Sequence, residues 1–137
     1  MTSPTQRSLA MLRKEKWFCA VVEHWNAHIN CRQDLYGFAD LICFRGDEVR
    51  LVQTTSGPNV AARVEKIQHI PAAAHWLESR YRTIHVHGWR KVGQRGTRKL
   101  WDCRVVEITP FGVPMPELPP AQRNGQRNLK LAIGTPF

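Results

Sequence analysis

Two apolar segments separated by a short polar break constrain the fold of this chain more than any other part of it. Residues 38–44 and 49–52 are largely apolar, and the four residues between them are Arg45, Gly46, Asp47 and Glu48. A two-residue loop with glycine in its first position favours a type II′ turn, whose twist matches that of paired antiparallel strands. The sequence therefore predicts a β-hairpin with Gly46 and Asp47 in the turn and Arg45 paired with Glu48.

This register places polar side chains where a sheet normally buries hydrocarbon. Continuing the pairing away from the turn sets Phe44 opposite Val49 and Asp40 opposite Gln53. Because successive side chains of a strand point to opposite faces, Asp40, Gln53 and Thr55 are predicted to share one face. Directly opposed residues have Cβ atoms about 5 Å apart, so a carboxylate and an amide are expected side by side.

Apolar periodicity predicts helices on both sides of the hairpin in sequence and two further strands after it. Ser3 followed by Pro4 is a suitable helix start, although Thr5 or Ser8 could cap the helix instead, and Pro71 divides the helical region that follows the hairpin. The predicted elements outside the hairpin are helix 7–27, strand 29–32, helix 60–69, helical segment 72–81, and strands 83–89 and 100–108.

A basic, glycine-containing segment joins the last two predicted strands. Its five cations are Arg90, Lys91, Arg95, Arg98 and Lys99. Such a loop can neutralise the phosphates of a DNA backbone without reading its sequence, although basic hairpin loops also serve solubility alone. The tryptophans that flank the segment, Trp89 and Trp101, either pack beneath it or form an aromatic shelf.

The charge of the chain predicts an anionic partner. A net charge of +9 and a pI of about 10.0 favour nucleic acid over an anionic membrane, with simple solvation of the charge as the alternative. No apolar run approaches the ~20 residues of a membrane span, and no signal-peptide core follows Met1. A cytoplasmic protein with free thiols and no membrane association is therefore predicted, with Cys43 in the core. We expect one domain, residues 1–109, and a Pro-rich, basic tail, residues 110–137.

Three segments together resemble a known group of enzymes. The segments DLYGFADLICF, LVQTTSGPNVAARVEKI and IHVHGWRK resemble the PD-(D/E)XK nuclease superfamily, and within it the small Holliday-junction-resolvase-like endonucleases of phages. The resemblance covers roughly residues 13–108. It implies an α/β fold, namely a restriction-endonuclease-like α-β-β-β-α-β core with a mixed central sheet flanked by helices.

The resemblance also implies an active site on the hairpin. Asp40, Gln53 and Thr55 stand at the family's aspartate, acidic and lysine positions, so this chain departs from the pattern at the last two. Gln53 still offers a carbonyl oxygen to a hard cation. Lys66 and Arg63, three residues apart on the predicted helix, are candidates for the missing cation.

Two further acidic residues are candidate metal ligands beside Asp40 and Gln53. Glu23 lies on the predicted first helix, where this family often carries an acidic residue, although an exposed helical side chain fits that position equally well. Asp34 is either a ligand or a turn residue that bonds its own backbone.

The resemblance implies a metal-dependent endodeoxyribonuclease that uses Mg²⁺, with Mn²⁺ as a substitute. Branched DNA such as a Holliday junction is the expected substrate, and duplex DNA is the other. Two cuts in a junction would call for a homodimer. A catalytically silent DNA-binding protein with the same fold is the main alternative, and an RNA-binding protein is a weaker one.

Overall fold

The computed structural model describes residues 2–109, so the predicted tail at residues 110–137 lies outside the described part of the chain. No helix within the described part is long and apolar enough to cross a membrane. The elements in chain order are α1 (Pro4–Lys14), β1 (Phe18–Val21), β2 (His24–Asn26), β3 (Cys31–Gln33), β4 (Leu41–Arg45), β5 (Glu48–Ser56), a 3-10 turn (Gly57–Asn59), α2 (Val60–Gln68), α3 (Pro71–Trp76), β6 (Arg82–Val92) and β7 (Leu100–Glu107).

The centre of the fold is a mixed five-stranded sheet flanked by helices, as the α/β prediction requires. Its strand order is β1-β4-β5-β6-β7, and β2 and β3 form a separate two-stranded ribbon. The pair β5–β6 is parallel, and the other neighbouring pairs in the sheet are antiparallel. The carboxyl ends of β5 and β6 therefore meet at one edge of the sheet.

The predicted hairpin register is confirmed by the pairing of β4 with β5. Arg45 pairs with Glu48, and Phe44 pairs with Val49. Gly46 has a φ of 60°, a left-handed conformation that glycine adopts without steric cost. Asp47 is not among the residues with positive φ, which agrees with the type II′ turn and not with type I′.

The sheet buries a different set of side chains on each face. The face beneath α2 and α3 carries an apolar core that includes Leu51, Ile84, Val86, Val60 and Ile67. Gly88 lies on β6, and a Cβ there would overlap Cγ2 of Val60, so glycine lets α2 approach the sheet closely. The face beneath α1 has a smaller core, made of Leu9, Leu12, Trp17, Leu41, Cys43 and Val52.

Polar side chains are also buried beneath α1. Burial lowers the pKa of His85, and it lowers the pKa of His87 to about 3, so both imidazoles are neutral at pH 7. Burial raises the pKa of Glu107 to about 8 against the opposing effect of Arg50. The contact of 3.1 Å between His85 Nε2 and Glu107 Oε1 is therefore mainly a hydrogen bond between neutral groups at pH 7.

The predicted first helix is wrong beyond Lys14. It begins at Pro4, three residues before the predicted bound, and Ser3 is its N-cap, because Ser3 Oγ accepts a hydrogen bond from the Gln6 amide at 3.2 Å. Lys16 then turns the chain with a φ of 72°, and Phe18 enters β1 and stacks on Phe44 of β4. Phe18 is 67% exposed, so the apolar side chains that suggested a longer helix do not form one buried helical face. Pairing with the free edge of the hairpin satisfies backbone groups that a longer helix would have satisfied internally.

The remaining element predictions are correct in type and differ at their ends. The helix predicted at 60–69 is α2, whereas the segment predicted at 72–81 is helical only through Trp76. The short strand predicted at 29–32 lies later, at β3. Strand β6 extends to Val92 because it pairs with β7 as far as Leu100, so the basic connection is shorter and spans 93–99. Cys19, Cys31 and Cys43 are free thiols, and Cys43 is buried as predicted.

Candidate metal centre

A pocket of about 340 Å³ lies where the carboxyl-terminal half of β5 meets α1, α2 and the β2–β3 ribbon. The residues that line it are Pro4, Thr5, Glu23, Arg32, Asp34, Asp40, Gln53, Thr54 and Arg63. Five of the predicted site residues are thus brought together, from segments far apart in sequence.

The side chains of Asp40 and Gln53 are in contact, as predicted, although the β4–β5 register itself ends at the pair of Leu41 and Val52. The Asp40 amide donates to the Val52 carbonyl at 2.8 Å, which is one residue out of the β4–β5 register because Leu41 is the residue that pairs with Val52. Gln53 Nε2 then donates to Asp40 Oδ2 at 3.0 Å. The backbone amide and the hydroxyl of Thr54 donate to the same oxygen at 2.8 and 3.0 Å. Three donors therefore fix the orientation of the Asp40 carboxylate.

The β2–β3 ribbon carries the two other acidic residues to Asp40. Glu23 immediately precedes β2 and Asp34 immediately follows β3, and β2 pairs with β3. One carboxylate oxygen from each of Glu23, Asp34 and Asp40 lies within 4.8 Å of the others. The expectation that Glu23 lies on the first helix is wrong, because that helix ends earlier, but its carboxylate still reaches the predicted site.

Asp34 lies in a turn, and its side chain also faces the acidic group. Its backbone carbonyl accepts from the Gly37 amide at 3.2 Å, in a turn where Tyr36 and Gly37 both have positive φ. Its carboxylate belongs to the acidic group. Glu23 has a partner of its own, since Arg32 Nη1 donates to its Oε1 at 2.9 Å.

Burial, together with the neighbouring carboxylates, raises the pKa of Asp40. Burial has the largest effect, the charges of Asp34 and Glu23 add to it, and the two hydrogen bonds from Thr54 oppose it. The pKa of Asp40 reaches about 7 as a result. Three carboxylates this close together are held at an electrostatic cost that a divalent cation among them would remove.

Gln53 presents an oxygen that has no hydrogen-bond partner within the described residues. The residue is only 3% exposed, and its Oε1 is buried and unpaired. Leaving such a group unpaired costs about 1–3 kcal/mol. The opposite amide orientation would set Oε1 against the Asp40 carboxylate, so the observed orientation is the favourable one. Carboxylate and amide carbonyl oxygens form the ligand set that Mg²⁺, Mn²⁺ and Ca²⁺ prefer.

Only one of the two cations predicted near the site lines the pocket. Arg63 of α2 lines the pocket, whereas Lys66, three residues further on, is exposed and does not line it. Thr55 is buried but lies outside the pocket lining, and Thr54 contacts Asp40 in its place. Strand alternation predicted the opposite assignment. It fails here because the Asp40 amide bonds to the Val52 carbonyl, out of the register that Leu41 keeps, and the Asp40 carboxylate accepts from Thr54.

Arg32 and Thr54 are pocket residues that the sequence did not identify as such. Nothing in the sequence indicated that Thr54 lines the pocket, because strand alternation predicted its side chain on the other face. Arg32 lay in a predicted strand that led towards Asp34, which could have suggested a place near the acidic group.

Besides Arg63 and Lys66, five cations were predicted to contact DNA; these five are all exposed, and none of them lines the acidic pocket. Arg90 and Lys91 are on β6, and the other three, Arg95, Arg98 and Lys99, are in the connection to β7. Lys99 Nζ donates to the Gly93 carbonyl at 2.9 Å, which closes this connection. Their exposure leaves them available to phosphates.

Comparison with known proteins identifies no matching family model, no matching curated protein and no matching solved structure. The geometry of the pocket and the charge of the surface are therefore the grounds on which a function is assigned to this chain.

Proposed function

We propose that this protein is a metal-dependent DNA endonuclease that hydrolyses phosphodiester bonds, with branched DNA as its substrate. The observation that carries the proposal is the combination of three converging carboxylates with the buried, unpaired carbonyl oxygen of Gln53. Neither feature alone would distinguish a metal site from an ordinary polar cluster. Together they provide four oxygens suited to a hard divalent cation in a pocket that also contains Arg63.

The order of elements also supports a nuclease of the PD-(D/E)XK type. When the β2–β3 ribbon is set aside, α1, β1, β4, β5, α2 and β6 follow the order helix, three strands, helix, strand, with the short α3 between α2 and β6. The resemblance noted in the sequence implies this order. Asp40 and Gln53 lie side by side on the β4–β5 hairpin, which is where the resemblance places the active site.

In this proposal Mg²⁺, or Mn²⁺ in its place, would be held by Asp40, Glu23, Asp34 and Gln53. The bound ion would lower the pKa of a coordinated water and neutralise charge that develops on the phosphate. Asp40 must give up its proton before it can act as a ligand, and the Thr54 donors keep its carboxylate in one orientation. The guanidinium of Arg63 would stabilise negative charge on the phosphate, in place of the lysine that Thr55 replaces.

The exposed cations would position the DNA. Lys66 lies on the same helix as Arg63 and would contact a neighbouring phosphate, and the basic connection between β6 and β7 would contact the backbone further away. Cleavage of a four-way junction on two strands would require two copies of the site, which makes a homodimer part of this proposal.

A DNA-binding protein without nuclease activity is the second candidate. It is favoured by the lining of the pocket, which contains no lysine and in which Gln53 contributes no charge. Such a protein would bind DNA equally well with and without a divalent metal ion.

Cleavage assays on labelled four-way junction, fork, duplex and single-stranded DNA separate the two candidates. With Mg²⁺ or Mn²⁺ we expect strand cleavage, fastest on the branched substrates, and EDTA should abolish it. DNA that is bound but left intact in both metals would contradict the nuclease proposal and favour the binding protein.

A further inference from the structure

A second groove, of about 510 Å³, lies between α1 and the adjoining ends of β6 and β7. Its lining includes Trp89 and Trp101 of the sheet, and α1 contributes Gln6, Arg7, Ala10, Met11 and Lys14. The helix residues recur at intervals of three and four, so they form one stripe along the helix. No residue lines both this groove and the metal pocket.

The ring of Trp89 is held in place from inside the protein. Its Nε1 donates to Ser8 Oγ at 2.8 Å, and Ser8, which is fully buried, lies 2.9 Å from Nδ1 of His87. His87 is neutral because burial lowers its pKa to about 3, so its Nδ1 can accept a hydrogen bond from the Ser8 hydroxyl. Since the only polar atom of the indole is already paired, the ring offers the groove an apolar surface of fixed position.

Trp101 combines an exposed ring with two cations. The ring is 42% exposed, and the Arg7 guanidinium carbon lies 3.8 Å from the ring centroid. Lys91 Nζ lies 5.4 Å from the same centroid. Cations in such positions are attracted by the ring and remain able to donate hydrogen bonds outward.

The lining matches the chemistry of a nucleotide. Aromatic surfaces stack on nucleobases of any sequence, and adjacent arginine or lysine side chains bind the phosphate. Arg7 and Lys14 contribute two positive charges to the lining, and Asp102 contributes one carboxylate. The volume also lies within the range of small-molecule and cofactor sites, about 300–1,000 Å³.

We propose that this groove binds an unpaired nucleotide of the substrate, with its base against Trp89 and the Arg7 guanidinium that the Trp101 ring supports, and its phosphate against Lys14. The inference rests on the proposed function for the identity of the nucleic acid as DNA. Both binding regions adjoin the first turn of α1, because Thr2 and Gln6 line the groove while Pro4 and Thr5 line the metal pocket. One end of the groove therefore lies beside the metal pocket.

This arrangement gives the protein a preference for DNA that contains unpaired nucleotides. Forks, flaps and single strands present a base that is free to stack, whereas an intact duplex keeps its bases inside the helix. Charge on the surface alone would not make this distinction, since the phosphate backbone is present in both.

The test measures the binding of a labelled single-stranded oligothymidylate, and of a labelled duplex, by fluorescence anisotropy in buffer that contains EDTA. Trp101→Ala should raise the dissociation constant for the single strand about tenfold, because one stacking surface is lost. Binding to the duplex should not change. Trp101→Phe, which keeps an aromatic ring, should retain most of the affinity, and Arg7→Gln provides a second variant that leaves both tryptophans in place.

Arg13→Ala is the matched control, because it removes a positive charge from the same helix at an exposed position outside the groove. Equal single-strand affinities for Trp101→Ala and Arg13→Ala would overturn the proposal. A second outcome would also overturn it, namely that the unmodified protein self-associates and that Trp101→Ala makes it monomeric without changing single-strand binding. The groove would then be an interface between protein copies. Because EDTA removes divalent ions, the result does not depend on whether the metal centre is catalytic.

Discussion

Replacement of Asp40 by asparagine is expected to lower the rate of metal-dependent DNA cleavage by about a hundred- to a thousandfold, the effect of losing one key group that stabilises a transition state. Asparagine has nearly the same shape, but it is neutral and cannot supply the charge that a divalent ion requires. The rate is measured under single-turnover conditions on a labelled four-way junction with saturating Mg²⁺.

Asp47→Asn is the control for this substitution. Asp47 lies in the turn of the same hairpin, is exposed, and is at the opposite end from the pocket. It should leave the cleavage rate unchanged, and both variants should bind DNA in EDTA like the unmodified protein. A cleavage rate for Asp40→Asn equal to that of Asp47→Asn would exclude Asp40 from the reaction.

Cleavage should also fall steeply as the pH is lowered below 7. The pKa of Asp40 is raised from its ordinary value to about 7, mainly by burial, so a proton competes with the metal ion for this carboxylate at lower pH. At subsaturating Mg²⁺ the rate should rise about tenfold per pH unit up to pH 7 and then level off, so that pH 5 gives about a hundredth of the plateau.

Varying the Mg²⁺ concentration tests whether the group that titrates in the pH–rate profile is a metal ligand. If the titrating group is a metal ligand, a higher Mg²⁺ concentration displaces its proton and moves the midpoint of the profile to lower pH. The measurement is the set of pH–rate profiles at several Mg²⁺ concentrations. A midpoint that stays constant would show that the titrating group does not bind the metal.

The hairpin was predictable because its register depends on local information. The turn is specified by Gly46, and the pairing of Arg45 with Glu48 sets the register as far as Leu41 and Val52, which brings Asp40 within reach of Gln53. Loop length and side-chain alternation are both visible in the sequence, and no distant residue was needed to deduce this pair.

The β2–β3 ribbon could not be predicted in the same way. Its strands have three residues each, and its Trp25 is 58% exposed, so no buried face imposes an alternating pattern. The same residues fit a helical stripe by chance. Glu23 was consequently identified as a candidate ligand for an incorrect reason, and its place in the acidic group depends on tertiary contacts that its local sequence does not reveal.

The hydrogen bonding of Gln53 could be determined only from the folded structure. The sequence shows an amide near a carboxylate, but only the packing shows that Nε2 is occupied by Asp40 while Oε1 is buried without a partner among the described residues. Likewise, the exclusion of Thr55 and Lys66 from the pocket, and the inclusion of Thr54 and Arg63, depend on where β5 ends and on the direction of α2.

Direct binding of Mn²⁺ in the absence of DNA tests the central claim most directly. Titration calorimetry at pH 8 would be performed on the unmodified protein, on Asp40→Asn and on the control Asp47→Asn. We predict one saturable Mn²⁺ site in the unmodified protein and in Asp47→Asn. In Asp40→Asn the affinity for Mn²⁺ should fall about ten- to a hundredfold or more, because the loss of a group that only supports a metal ligand already has an effect of this size. Equal affinity in all three proteins, or no saturable binding in any of them, would show that the carboxylates and Gln53 do not form a metal centre.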